Sequence, residues 1–68
     1  MKNTTKLKAI LQLYTVALDM DEEGNFHLTL IHKRERTSAT FVDKAYTSVV
    51  GKAFGYMKKE LKSKEPLG

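Results

Sequence analysis

Tyr14-Thr15-Val16-Ala17-Leu18-Asp19-Met20-Asp21-Glu22-Glu23-Gly24-Asn25-Phe26-His27-Leu28-Thr29-Leu30 is the stretch on which the fold turns. Its middle, Asp19 to Asn25, is polar, acidic and contains a glycine, with apolar runs on both sides, which is the signature of a turn. Beyond the turn, Phe26, Leu28 and Leu30 alternate with His27 and Thr29, the period-2 pattern of a half-buried strand continuing to about Lys33. Ile31 departs from the alternation, as an edge or a second-face contact would.

The segment before the turn supports two periods. Leu7, Ile10, Leu11, Tyr14, Ala17 and Leu18 have helical spacing, whereas Tyr14, Val16, Leu18 and Met20 alternate as a strand. A single helix here would hold Lys2, Lys6 and Lys8 at its N-terminus and Asp19, Asp21, Glu22 and Glu23 at its C-terminus, against the macrodipole. Thr4 or Thr5 could cap such a helix. The charge argument favours a strand and a hairpin, with an N-terminal helix as the alternative.

After the hairpin, His32-Lys33-Arg34-Glu35-Arg36-Thr37 reads as a strand end and basic loop, followed by a short strand over 38–42. From Asp43 to about Ser63, Tyr46, Val50, Ala53, Phe54, Met57 and Leu61 recur along one side of a helix. Asp43 or Thr40 suits its start, and Lys58, Lys59, Lys62 and Lys64 suit the negative end of its dipole. The expected fold is α+β: a small antiparallel sheet of two or three strands, with a β-hairpin around Asp19–Asn25, packed by one long amphipathic C-terminal helix over about 43–63. Residues 1–68 make a single domain, with 64–68 expected to be a flexible tail.

At 68 residues there is room for one small core and no second domain. With no cysteine, neither disulfides nor thiolate zinc sites are open to the chain, and self-association or a larger partner becomes the natural support. The same absence suits a cytoplasmic location. No apolar run reaches the ~20 residues of a membrane span. The apolar run Ala9 to Leu18 is interrupted by Gln12 and Thr15 and lacks a small-residue cleavage pair, so it is not read as a secretory signal.

No catalytic pattern emerges. Gly51 and Gly55 lie within the helix rather than in a phosphate-binding loop. Asp19, Asp21, Glu23 and Gly24 imitate the opening of a calcium loop, but its twelfth position, a bidentate glutamate in that motif, is Leu30. His27 and His32 are five apart and so on opposite faces of a strand, which disfavours joint metal binding. The chain is therefore expected to be no enzyme and to need no cofactor or metal.

Charge carries the functional signal. The net charge is +4, and nine of the twelve Lys and Arg residues lie from Lys33 onward. Lys44, Lys52, Lys58, Lys59 and Lys62 fall within about 120° of the helical wheel, opposite Tyr46, Val50, Phe54 and Leu61. With Lys33, Arg34 and Arg36 from the preceding loop, they are the candidate surface for nucleic acid or a protein partner. Ser48, Gly51 and Gly55 form a small-residue stripe beside the lysines, a candidate close-approach surface; each glycine costs the helix about 1 kcal/mol relative to alanine.

The order strand, acidic turn, strand, short strand, helix resembles in layout the half-domain of HicB-type antitoxins and, more distantly, double-stranded-RNA-binding domains. The basic helix-start motif of the latter and the DNA-binding segment of the former have no counterpart here, so the resemblance transfers no residue. The leading functional expectation is a non-enzymatic accessory protein that docks on nucleic acid or a nucleoprotein through its basic helix. The alternatives are a small phage- or mobile-element-type inhibitor or adaptor of a larger host protein, and a homodimeric interaction module.

Overall fold

The computed structural model describes residues 2–64, with side chains through residue 62. The elements run α1 (Asn3–Leu13), β1 (Tyr14–Met20), β2 (Phe26–His32), β3 (Ser38–Asp43) and α2 (Tyr46–Lys64). The strands form an antiparallel meander in the order β1-β2-β3. This is the expected α+β fold with three strands and an added N-terminal helix. Residues 65–68 of the expected tail lie outside the described residues.

The ambiguous segment is divided: Asn3–Leu13 is helix, as in the alternative reading, and Tyr14–Met20 is strand, as the alternation of Tyr14, Val16, Leu18 and Met20 suggests. The macrodipole of α1 is not opposed, because the helix ends at Leu13 and the acidic cluster is no part of it. Asp19 lies within β1 and Asp21 to Glu23 follow it, so the cluster is remote from α1, and the carbonyl end of α1 meets a cation instead. Lys33 Nζ donates to the Leu11 carbonyl at 2.7 Å, and the Lys33 backbone N–H donates to that of Leu13 at 3.0 Å. A positive group there satisfies orphan carbonyls and complements the dipole. Neither Thr4 nor Thr5 caps the helix; Lys2 occupies the N-cap position without a side-chain bond.

Strand register sorts the side chains onto two faces. Val16 pairs with Leu30, Leu18 with Leu28, and Leu28 in turn with Phe41. These face the helices. Ile10 from α1, Leu28 and Leu30 from β2, and Val49, Val50, Ala53 and Met57 from α2 are buried together, joined by Tyr14. The opposite face carries Ala17, Thr29, Thr40, Ile31 and Val42, with no element laid over it among the described residues. Ile31 sits on the central strand, so its departure from alternation is a second-face residue and not an edge contact.

The first hairpin is built around one carboxylate. Asp21 Oδ1 accepts the backbone N–H groups of Glu23 and Asn25, both at 2.9 Å, and Oδ2 meets His27 Nε2 at 2.8 Å. Gly24 completes the loop at φ +86°, where a Cβ would be strained. The His27 ring, then the Asn25 N–H, hold the Asp21 carboxyl well below the usual carboxylate range. A depressed folded pKa stabilises the protein above the unfolded carboxylate pKa, and that contribution is lost as pH falls through the folded value. Thermal unfolding from about pH 6 to about pH 3 should therefore cost the native chain more Tm than it costs Asp21→Ala. Equal acid sensitivity in both would show that this carboxylate is not a linked group.

At the start of α2, Asp43 Oδ1 accepts the Ala45 N–H at 3.2 Å, and helix hydrogen bonding begins with Val49 N–H to Ala45. Asp43 thus holds the helix start as expected, although the helix proper begins at Tyr46 rather than at Asp43. Nineteen residues give α2 a length of about 28 Å, against about 23 Å for a seven-residue strand. The helix therefore overshoots the sheet.

Candidate functional site

Topology gives the molecule two chemically different ends. The 21–25 hairpin, the end of β3 and the start of α2 share one end, as the Phe26–Tyr46 ring contact at 5.9 Å and the Phe26–Asp43 register show. At the other end lie the α1–β1 junction, the β2–β3 loop and the later turns of α2. Tyr14 meets His32 there edge-on at 5.1 Å, and Tyr56 lies 6.4 Å from Tyr14 and 5.5 Å from Phe41. Asp19, Asp21, Glu22 and Glu23 concentrate at the first end. Arg34, Arg36, Lys58, Lys59 and Lys62 concentrate at the second, and all five are exposed.

The β2–β3 loop is fixed by its own backbone. His32 N–H donates to Thr37 at 2.8 Å, Arg36 N–H donates to His32 at 3.0 Å, and His32 Nδ1 accepts the N–H groups of Arg34 and Glu35 at 3.1 Å each. Arg36 closes it at φ +62°. That conformation is uncommon for a side chain other than Gly or Asn, so an arginine is held where local sterics favour a smaller residue. Behind the loop, the Glu60 carboxylate and burial raise the Tyr56 phenol above the ordinary tyrosine range, which keeps it a proton donor.

The other candidate cations are placed differently. Lys33 caps α1. Lys52 bridges to Asp43 Oδ2 at 3.0 Å and to the Val42 carbonyl at 3.1 Å, so it is tied to β3. The Ala45 N–H, and after it the Lys52 ammonium, hold the Asp43 carboxyl below its ordinary value. Lys44 lies at the acidic end. Lys58, at the basic end, stands over the Phe54 ring at 5.6 Å from its centroid, and Lys6 stands 5.9 Å from the same centroid, which adds an α1 cation that spacing within α2 could not reveal. Ser48 and Gly55 are exposed and Gly51 half-exposed on α2. A Cβ at either glycine would meet nothing within 4 Å, so no close approach within the chain requires them.

Two of the surface hollows among the described residues bear on the charge distribution. One, of about 560 Å³, lies against β1 and the open sheet face and includes Asp19, Asp21 and His27 in its lining. Its carboxylates disfavour anions. The other, of about 430 Å³, lies at the basic end among Gln12, His32, Lys33 and Arg34. Among the described residues no three His, Cys, Asp or Glu side chains gather to hold a metal, and no helix is long and apolar enough to cross a membrane. No family model matches the chain, and neither the curated proteins nor the solved structures contain a significant match.

Proposed function

We propose that this protein is a non-catalytic docking module for nucleic acid, and that it engages the phosphate backbone with its basic end. The feature that carries this is the placement of Arg34 and Arg36, on the β2–β3 loop, at the same end of the molecule as Lys58, Lys59 and Lys62 in the later turns of α2. Guanidinium forks and ammonium groups at one exposed end suit phosphate oxygens. Segregation of Asp19–Glu23 to the far end orients the molecule in a phosphate field and keeps that end away. Arg36 supports the reading independently, because a strained arginine at a turn position open to glycine points to a use for its side chain.

The docking surface differs from the full lysine stripe of α2. Lys52 and Lys33 act inside the fold, and Lys44 is too near the acidic hairpin. Single- and double-stranded DNA and RNA oligonucleotides, labelled and titrated at several salt concentrations, test the reading. About four phosphate contacts give a slope of log affinity against log salt near −3.6 on duplex DNA, or roughly a hundredfold loss between 50 and 200 mM salt. Absence of binding to every oligonucleotide at low salt would overturn the proposal.

A further inference from the structure

The two edges of the sheet are treated differently. The hairpin bond from Asp21 N–H to the Asn25 carbonyl fixes the alternation along β1, so that Val16, Leu18 and Met20 direct their backbone groups away from β2. Of these, the Met20 N–H is taken by the Asp19 carboxylate at 2.8 Å. On β3 the outward carbonyl of Val42 is occupied by Lys52. A lysine over a strand edge is a common guard against unwanted pairing. The run Tyr14 to Leu18 on β1 contains no charge, proline or glycine, and Leu18 and Met20 are 48% and 52% exposed on the helix-side face.

We propose that β1 pairs antiparallel with β1 of a second copy about a two-fold axis at Ala17, giving a six-stranded sheet. The strand is complementary to itself in this register. Val16 lies opposite Leu18 of the second copy, and both present outward backbone groups, so they exchange two hydrogen bonds on each side of the axis. On the helix side Tyr14 meets Met20 and Val16 meets Leu18, covering the two half-exposed apolar residues. On the other side Ala17 meets Ala17, and Asp19 meets Thr15 rather than its own copy. No like charges face each other within the strand pair.

Charge beyond the strands agrees. The axis brings the hairpin of each copy, with Glu22 and Glu23, toward the α1–β1 junction of the other, where Lys33 sits on the Leu11 carbonyl. Unlike ends meet. An isologous interface of this kind also enlarges the core of a domain small enough to need support. An unrelated strand could use the same edge, but it has no reason to reproduce this reciprocal match.

Light scattering across a concentration series, together with three variants, tests the inference. The native chain is expected at twice its 7.7 kDa mass at high micromolar concentration. Ala17→Lys and Ala17→Glu place like charges opposite each other on an exposed position and should each be monomeric with native circular dichroism, whereas their mixture restores the dimer. The chain has no other thiol, so Ala17→Cys should give a covalent dimer on oxidation at least tenfold faster than Thr15→Cys, whose copies lie far apart in this register. A native chain that stays monomeric at millimolar concentration overturns the proposal, as does a dimer indifferent to both charge variants. If a charge variant fails to fold, the relative oxidation rates decide: equal rates at positions 15 and 17 contradict the register.

Discussion

Leu30→Ala is expected to leave the chain largely unfolded at room temperature. Leu30 is fully buried on the central strand, between Val16 on β1 and Ala39 on β3, beneath the helix layer. Removing a buried leucine side chain costs about 2–5 kcal/mol, the spread reflecting how far the surroundings collapse into the gap. Collapse is restricted here because β2 is held on both sides and both helices pack on the same face. A core of this size supplies roughly 3–5 kcal/mol in total, so one such loss is comparable to the whole stability. Val42→Thr, on the open face, should change stability by no more than about 0.5 kcal/mol. Urea unfolding followed by circular dichroism measures both. A cooperative transition for Leu30→Ala with a midpoint near that of the native chain would show that the core has been misassigned.

The same packing explains what was legible in the sequence. The apolar spacing of Val50, Ala53 and Met57 announced α2 because a long helix repeats its signal several times. Asp21 and Gly24 announced the hairpin because the turn chemistry is local. The α1–β1 junction was obscured because Leu13 is followed directly by Tyr14 with no glycine, proline or polar linker, so two periods overlap in one apolar run. What decides that junction is Lys33, twenty residues away, whose cap on α1 is a tertiary fact.

Candidate residues follow the same division. Exposure of the α2 lysines could be read from the wheel. The bond of Lys52 to Val42 could not, because it depends on how β3 leads into the helix, and the meeting of Lys6 and Lys58 over Phe54 depends on the packing of α1 beside α2. Convergence of Arg34 and Arg36 with Lys59 and Lys62 likewise needs the meander to place the β2–β3 loop at the same end as the later turns of α2. Sequence patterning therefore supplied a stripe, and only its later turns share an end with the β2–β3 loop.

The second large effect is expected from charge at that end. Arg34, Lys59 and Lys62 are exposed and lie outside the core, so changing all three to glutamate should leave the fold intact while replacing attraction to phosphate by repulsion. With about three contacts removed, the salt slope should shrink by about 2.7, and affinity at low salt should fall at least a hundredfold. Lys44→Glu, an exposed change at the acidic end, should fall within about threefold of the native affinity, since it touches none of the proposed contacts.

The measurement that bears most directly on the proposed docking end is therefore the oligonucleotide affinity of the native chain, Arg34→Glu/Lys59→Glu/Lys62→Glu and Lys44→Glu, determined side by side at low salt. Loss of binding in the triple variant with near-native binding in Lys44→Glu is the predicted result; unchanged binding in the triple variant, or an equal loss in Lys44→Glu, would contradict it.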